Sequence, residues 1–398
     1  MTGISTLGQA LRQIENIKKQ QTTFSDLSTQ LATGKKSQNF SGLGTDALTT
    51  IRSRSSIVSL DSYISNIGKA DTRLKIMLSS IEEFQAQGNN LADGFIGFVQ
   101  QGTHQLGEIV TYDDPSTPFV HEEVAVGMTS ATPDEELQGL IDLSKNLYNY
   151  MTELINSKDG DRYVFGGAET LTPPLNDTGT LDAAVSTLLT SWKNGTITTD
   201  QLLADIRDRT ATAGNPDALT DSVIGYSAPL SAGNAGRVFV RVDDDSELEY
   251  TVHANEDPFR DILVALSFLK NESFPPIADT YEDGVFPGTP DVQGAPGYTL
   301  AQQQESFYTL YNELTEMVSR SLDEIDNIRF DMEGVRVSMN ETKEFHVDQK
   351  NLFQSIVSGI EDADTNDVAL KLNTLQVQLE ATFRVTALVS QLSLVNFI

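Results

Sequence analysis

The sequence contains no cysteine among its 398 residues. A disulfide framework, a thiolate metal site and a cysteine nucleophile are therefore excluded. It also lacks any run of about 18 apolar residues, so we expect no membrane-spanning helix. Residues 1–20 show no apolar segment followed by a small-residue cleavage site, and from this we expect no Sec-type signal peptide.

Positive charge is scarce, because 27 Lys and Arg residues face 57 Asp and Glu residues and leave a net charge of −30. Such an excess of acid disfavours sequence-independent binding to nucleic acid and to anionic membranes. The apolar fraction of 39% and the charged fraction of 21% are globular values and exclude a wholly disordered acidic chain. Residues 1–40 differ, with five basic and two acidic side chains, and we expect these basic residues to contact acidic groups of neighbouring subunits.

Proline is absent from residues 1–110 and 298–398, and all 13 prolines lie between Pro115 and Pro296. Because proline breaks helix interiors, both ends can form long uninterrupted helices. Apolar residues recur there at steps of three and four, which predicts coiled-coil packing. Asp71 interrupts one stripe and is predicted to set the register or to be locally solvated. The predicted rod-packing residues are Ile57, Leu60, Ile64, Ile67, Leu74, Leu78, Ile81, Leu310, Leu314, Met317, Ile328 and Met332.

The two ends of the chain carry further apolar stripes, and the sequence stays apolar through Phe397 and Ile398. If these amphipathic ends packed against no other surface, they would expose large apolar patches to water. We therefore expect them to pack against each other or, preferably, against neighbouring subunits in a helical array of identical chains. The predicted assembly-interface residues are Ile4, Leu7, Leu11, Ile14, Leu27, Leu31, Val368, Leu372, Leu375, Leu379, Leu388, Leu392 and Val395.

The middle of the chain has a different pattern. Alternating apolar residues in 237–253 predict a hairpin, and residues 200–210 and 258–270 are typical of short helices. Residues 271–297 hold five prolines and predict a long loop, and residues 111–133 predict an irregular turn between long helices. The predicted fold is mainly α, a coiled-coil rod with a smaller inserted α+β domain. Its predicted parts are an assembly segment 1–40 with 361–398, rod halves 41–160 and 299–360, and an insertion 161–298.

No residue pattern predicts a catalytic, cofactor or metal site, so we expect no cofactor and no enzymatic activity. The histidines His104, His121, His253 and His346 lack paired metal-ligand spacing.

Residues 243–245 are interpreted as a solvated turn, since EF-hand spacing is missing. Gly166 and Gly167 lack a following GK[ST] and are interpreted as a helix-ending turn. Trp192 is predicted to lie in the core of the insertion.

Several segments near the two ends resemble the flagellin family. Residues 27–36 read LSTQLATGKK, residues 360–364 read IEDAD, and Leu375-Gln376 and residues 379–382 (LEAT) follow. The resemblance implies a secreted, non-enzymatic building block of the bacterial flagellum, exported through the flagellar type III apparatus. It also implies terminal segments that order into coiled coil on assembly, and an export chaperone that holds the C-terminal segment beforehand. The implied partners are further copies of the chain, other hook-associated proteins and flagellin.

Within that family the chain is most similar to the proteins at the junction of hook and filament. Residues 162–170 read RYVFGGAET, with Pro173-Pro174 just after, and residues 391–398 read QLSLVNFI. The runner-up interpretation is the major filament subunit. A further alternative is a surface-binding module in which residues 160–298 contact glycan or host. Residues 200–271 match no motif of the family.

Overall fold

The structure is a computed structural model that describes residues 3–101, 106–113, 121–127, 134–176, 179–274, 276–277, 280–281 and 296–395. Helices dominate the described residues, which confirms the predicted mainly-α class. The α-helices are α1 (Gly3–Thr33), α2 (Ala47–Gln101), α3 (Glu135–Ile155), α4 (Thr180–Lys193), α5 (Thr199–Arg207), α6 (Asp221–Ile224), α7 (Ala228–Ser231), α8 (Asp257–Lys270), α9 (Leu300–Glu361) and α10 (Thr365–Val395). A 3-10 helix spans Phe40–Asp46.

Within the described residues, short strands form three small antiparallel sheets. The strands are β1 (Gly107–Asp113), β2 (His121–Gly127), β3 (Lys158–Asp159), β4 (Arg162–Tyr163), β5 (Phe239–Arg241), β6 (Glu247–Glu249) and β7 (Thr280–Tyr281). Their orders are β1-β2-β7, β3-β4 and β5-β6. The β5-β6 pair is the hairpin that the alternation in residues 237–253 predicted.

The prediction of an irregular turn over residues 111–133 is wrong in part. Strands β1 and β2 pair along their whole length, from Gly107 opposite Gly127 to Asp113 opposite His121. The prolines that suggested irregularity, Pro115 and Pro118, lie between the two strands in residues 114–120, outside the described residues. The two strands are neighbours along the chain, and the prolines of the link between them do not show whether the residues on either side pair.

The long helices follow the absence of proline. Helix α2 has 55 residues and α9 has 62. The short helices predicted at 200–210 and 258–270 are α5 and α8. Helix α4 was not predicted, although Trp192 on it is fully buried, as expected, and donates its Nε1–H to Thr199 Oγ1 at 3.1 Å. Most of the predicted loop 271–297 lies outside the described residues, and β7 falls within it.

The chain divides into two compact units. We call residues 1–65 with 343–398 the terminal unit and residues 66–342 the central unit. Helices α2 and α9 contribute residues to both. The predicted boundaries at residues 40, 160, 298 and 360 stay a prediction.

The central unit contains a continuous hydrophobic core. Helix α8 is buried almost all round and packs against α3. Phe259 on α8 contacts Phe84 edge-on, with ring centroids 5.1 Å apart, and Phe307 stacks on Tyr311 at 4.4 Å. Arg260, also on α8, is only 1% exposed and donates to the carbonyls of Ile206 and Leu219 at 2.9 Å. Those two hydrogen bonds use some of the N–H donors of the guanidinium and so reduce the free-energy cost of burying this cation.

Gly166 and Gly167 do not end a helix, so that prediction is wrong. They follow β4, and Gly166 forms a β-bridge with His253. Gly167 has φ of 60°, and a Cβ there would lie 2.4 Å from the Gly236 carbonyl oxygen. Only glycine fits this close approach between two backbone segments. The predicted solvated turn at residues 243–245 is exposed and connects β5 to β6.

Candidate assembly interface

Helices α1 and α10 of the terminal unit pack against each other. On α10 the inward residues recur at steps of three and four: Val368 is buried, and Leu372, Leu375 and Leu379 are half-buried. Leu27 on α1 is also half-buried. This is the apolar face that the stripe predicted, and the partner that covers part of it belongs to the same chain.

The terminal unit has almost no core of its own. Among its described residues, the buried apolar side chains are Leu60, Val357 and Val368, whereas the central unit supplies all the others. Stabilisation by burial scales with the apolar area removed from water, at about 25 cal/mol per Å². The helices of the terminal unit therefore gain far less from intramolecular packing than those of the central unit.

Large apolar side chains are instead exposed on the terminal unit. Its described residues expose fifteen of them, against nine in the central unit, which has more than twice the length. Leu11, Ile14 and Leu388 are 58%, 61% and 58% exposed. Monomeric proteins seldom leave so dense an apolar surface in water. The fifteen are Leu11, Ile14, Leu31, Phe40, Leu48, Ile51, Val58, Phe345, Val347, Leu352, Leu370, Val377, Phe383, Val385 and Leu388.

The predicted assembly residues thus fall into three groups. Four are exposed: Leu11, Ile14, Leu31 and Leu388. Five are buried or half-buried: Leu27, Val368, Leu372, Leu375 and Leu379. Nothing is described of the side chains of Ile4, Leu7, Leu392 and Val395. The nine described side chains thus differ in exposure, and the role of all thirteen residues in assembly stays a prediction.

The predicted rod-packing residues lie mostly inside. In the central unit Ile67, Leu74, Leu78, Ile81, Leu310, Leu314 and Met317 are buried, and Ile328 and Met332 are half-buried against the core. In the terminal unit Leu60 is buried, whereas Ile57 and Ile64 are half-buried. Asp71 is 7% exposed and forms ion pairs with Lys75 at 2.7 Å and with Arg336 on α9 at 3.0 Å. This cross-helix pair fits the predicted register-setting role.

A polar contact ties the segment after α1 to the end of α9. Lys36 donates its backbone N–H to the Glu361 carbonyl at 2.7 Å, and Ala363 donates to the Gly34 carbonyl at 2.8 Å. We call residues 34–36, Arg54 and residues 359–363 the terminal clasp. The N-terminal and C-terminal segments of the clasp are more than 300 residues apart in sequence. Their contact therefore brings the two ends of the chain together.

Glu361 is the charged centre of the terminal clasp. Its carboxylate accepts Arg54 Nε–H at 2.8 Å and Arg54 Nη2–H at 2.6 Å, and its side chain is only 7% exposed. Lys35 Nζ lies 3.4 Å from Glu361 Oε2 and 2.5 Å from Asp362 Oδ1. The hydrogen bonds from Arg54 lower the pKa of Glu361, and that from Lys35 lowers the pKa of Asp362. The Asp362 carboxylate in turn raises the pKa of Lys35.

The turn from α9 to α10 is capped on both sides. Lys36 Nζ donates to the carbonyls of Gly359 and Ile360 at 2.8 and 2.9 Å, which satisfies acceptors at the negative end of the α9 dipole. Asp364 accepts the backbone N–H groups of Asn366 and Asp367 and caps the start of α10. Lys35 and Lys36 therefore contact acidic and carbonyl groups of their own chain, which differs from the expectation that they contact neighbours.

An apolar groove of about 300 Å³ lies beside the terminal clasp. Ile57, Val58 and Val357 line it, with Lys35 and Arg54 among the other lining residues. Charged residues at the edge of an apolar depression are typical of protein–protein contact surfaces. The groove adds to the exposed apolar surface that the terminal unit presents.

Comparisons with known proteins find a likeness among solved structures. No model of a protein family matches the sequence, and no curated protein matches it. Among solved structures, the chain is similar to the putative flagellar hook-associated protein from Vibrio parahaemolyticus. That similarity has a TM-score of 0.43 and 11% sequence identity, and it covers 79% of this chain and 97% of the other.

The described residues contain no cluster of three His, Asp or Glu side chains placed to hold a metal ion. In the same residues, no helix combines the length and the apolar character needed to cross a membrane. His253 Nε2 lies 3.1 Å from the Gly236 carbonyl oxygen, and His346 is buried with its ring 5.7 Å from that of Tyr63. His104 and the side chain of His121 lie outside the described residues.

Sequence reasoning did not find the terminal clasp. A signal was present, since the segment Gly34-Lys35-Lys36 is basic and Glu361-Asp362 is acidic. Both segments also belong to the motifs that resemble the flagellin family. Complementary charge alone does not select one pair of segments, however, because the chain contains 57 acidic residues.

Proposed function

We propose that the chain is a non-enzymatic structural subunit of the bacterial flagellum that joins hook to filament, as hook-associated protein 3 does. In this proposal several copies assemble side by side through α1, α10 and the exposed apolar residues around them. The observation that carries it is the contrast between the two units: the terminal unit has little core and a dense exposed apolar surface.

The energetics favour assembly over a free terminal unit. An amphipathic helix pair with few buried contacts is marginal in water, and ordering it costs conformational entropy. Contacts with neighbouring copies would bury the exposed side chains of Leu11, Ile14 and Leu388 and offset that cost. Heterologous contacts that do not close on themselves generate a helical array.

The terminal clasp supports the resemblance to the flagellin family. The N-terminal motif ends at residues 34–36 and the C-terminal motif begins at residues 360–364, and the two are in direct contact. In the proposed subunit the clasp holds α1 and α10 as one paired element, which is the part offered to neighbouring copies. The partners are then further copies, other hook-associated proteins and flagellin. Export through the flagellar type III route, with a chaperone on the C-terminal segment, completes the proposal and places the protein outside the cell.

The number of copies per flagellum tests the junction role. A junction ring needs about one helical turn of subunits, whereas a filament needs far more, so quantitative mass spectrometry of isolated flagella separates the two. A deletion strain that keeps its hook and secretes monomeric flagellin without a filament would support the junction role. A copy number matching that of the most abundant filament protein would instead identify the runner-up, the filament subunit.

Surface adhesion through residues 160–298 is a separate alternative. A chain lacking these residues that still assembles but no longer adheres would support it. Loss of assembly on the same deletion would argue against a separate adhesive role.

A further inference from the structure

A basic groove on the central unit stands out against the acidic chain. It has a volume of about 450 Å³, and four cations line it together with one carboxylate, that of Asp159. The chain as a whole carries a net charge of −30, so a local excess of positive charge is not explained by composition. The cations are Lys69, Arg73, Arg162 and Arg241, and the other lining residues are Asn66, Ala70, Phe239, Val240 and Tyr250.

The charge in this basic groove is poorly neutralised by the protein itself. Arg241 lies 3.7 Å from the Asp244 carboxylate. Within the part of the chain that the structure describes, Lys69, Arg73 and Arg162 have no carboxylate at ion-pair distance. Cations left without a carboxylate in a concave site create a potential that attracts an anion.

Arg73 distinguishes the basic groove from a patch of exposed surface cations, because this arginine is buried. Its residue is 7% exposed, and its Nη2 donates to the Tyr163 carbonyl at 2.9 Å, which holds the side chain in place. Its Nε is buried without a hydrogen-bond partner. Burial lowers the pKa of Arg73, since desolvation penalises the cation. An anion bound in the groove would compensate that desolvation through its charge.

The apolar part of the basic groove limits the kind of anion. Ala70, Val240 and Tyr250 are nearly buried, and Phe239 is 52% exposed. Ligand sites typically combine such apolar surface with a few convergent polar groups. A bare inorganic anion gains nothing from an exposed phenyl ring, whereas a ring-shaped ligand with an apolar face can pack on it. The planar guanidinium group of arginine can form two parallel hydrogen bonds with a carboxylate, which favours a carboxylate as the bound anion.

We propose that this groove binds a carboxylate-bearing sugar, of the hexuronate class, with its carboxylate toward Arg162 and Lys69 and its ring against Phe239. The volume accommodates a monosaccharide or a terminal sugar of an acidic glycan. This inference is independent of the flagellar proposal, because it concerns a site on the central unit and is measurable on the unassembled chain.

Titration calorimetry of the full-length chain at low ionic strength tests the proposal, with D-glucuronate, D-glucose and sulfate as probes. We expect saturable binding of glucuronate, no binding of glucose, and weaker binding as salt rises. The Lys69→Gln/Arg162→Gln variant should bind glucuronate at least about tenfold more weakly, because each change removes a charged donor. Lys145→Gln is the matched control, since Lys145 is an exposed cation on α3 outside the groove, and it should bind as the unaltered chain does.

Phe239→Ala separates a sugar site from a general anion site. Because Phe239 is exposed on β5, its truncation should leave the fold intact and weaken glucuronate binding several-fold. Sulfate binding as tight as that of glucuronate, or glucuronate binding unaffected by Phe239→Ala, would overturn the sugar assignment. Binding of a poly-glutamate peptide in place of glucuronate would identify a protein ligand and overturn it too. Absence of saturable glucuronate binding would refute the site altogether.

Discussion

The guanidinium of Arg54 and the carboxylate of Glu361 meet in a two-point ion pair, with Nε–Oε1 at 2.8 Å and Nη2–Oε2 at 2.6 Å. Arg54 lies near the start of α2 and Glu361 is the last residue of α9. The pair belongs to the terminal clasp, which connects segments from opposite ends of the chain. The side chain of Arg54 is 52% exposed, whereas that of Glu361 is only 7% exposed.

Replacing Arg54 should loosen the terminal clasp. Arg54→Met keeps the aliphatic stem but leaves the Glu361 carboxylate with Lys35 alone, at 3.4 Å. We expect a loss of about 1 kcal/mol, limited by the exposure of Arg54, and faster amide hydrogen exchange at Lys36 and Ala363. Lys371→Met is the control, because it breaks an exposed i,i+4 pair with Asp367 and should change little. Equal exchange rates in the two variants would show that the clasp does not depend on this pair.

Acid should weaken the terminal clasp in a defined direction. The pKa values of Glu361 and Asp362 are lowered by Arg54 and Lys35, respectively. The folded state thus binds fewer protons than the unfolded state, so this stabilisation is complete above the ordinary carboxyl values and is lost as pH falls below about 4. We expect the melting temperature of the unaltered chain to exceed that of Glu361→Gln/Asp362→Asn at pH 6. This difference should shrink toward pH 3, and a difference independent of pH would contradict the assignment.

Asp71 allows a test of register-setting on α2. Burial raises its pKa, but the hydrogen bonds from Lys75 and Arg336 outweigh this and the net pKa is lowered. Asp71→Ala should cost about 1–2 kcal/mol by urea denaturation, since both partners can return to water. Asp71→Leu should be near neutral or stabilising, because an apolar residue suits the heptad position. Asp142→Ala, which breaks an exposed pair with Lys145, is the control. A loss for Asp71→Leu as large as for Asp71→Ala would contradict the register-setting role, because it would show that the ion pairs themselves stabilise the fold.

The close approach at Gly167 predicts an intolerance to side chains. In Gly167→Ala the new Cβ would meet the Gly236 carbonyl oxygen at 2.4 Å and His253 Nε2 at 2.6 Å. We expect a loss of about 2–4 kcal/mol in the free energy of unfolding, from the left-handed backbone and the steric conflict together. Gly160→Ala is a matched control with the same φ of 60° and open space around it, and should lose about 1 kcal/mol. Similar losses would mean that backbone conformation alone determines the effect.

The proposed assembly surface is testable by adding charge. Leu11→Asp/Ile14→Asp and, separately, Leu388→Asp place carboxylates on exposed positions of α1 and α10. Because these side chains are already in water, the monomer should keep its stability to within about 0.5 kcal/mol. Assembly, followed by light scattering and electron microscopy with hook and flagellin components, should be lost. Phe330→Asp, at a 73% exposed position of the central unit, is the control, and an equal loss there would remove α1 and α10 from their proposed role.

Local periodicity was enough to predict α2, α9 and the β5-β6 hairpin. In each, the signal lies within one segment, as with the stripe from Ile57 to Ile81, where the repeat alone defines the buried face. The prediction of residues 111–133 as irregular was wrong in part, because the prolines of the link between β1 and β2 were given more weight than the residues of the two strands.

What the amino-acid sequence determined by itself is the mainly helical class, because spacing of apolar residues and the location of proline act through neighbours along the chain. Only the tertiary structure decided that residues 34–36 meet residues 361–363, that Asp71 pairs with Arg336, and that Lys69, Arg73, Arg162 and Arg241 line one groove. Such contacts depend on which of many compatible charges and faces lie together after packing. The packing of the whole core determines these contacts, and no single segment of the sequence contains enough information to predict them.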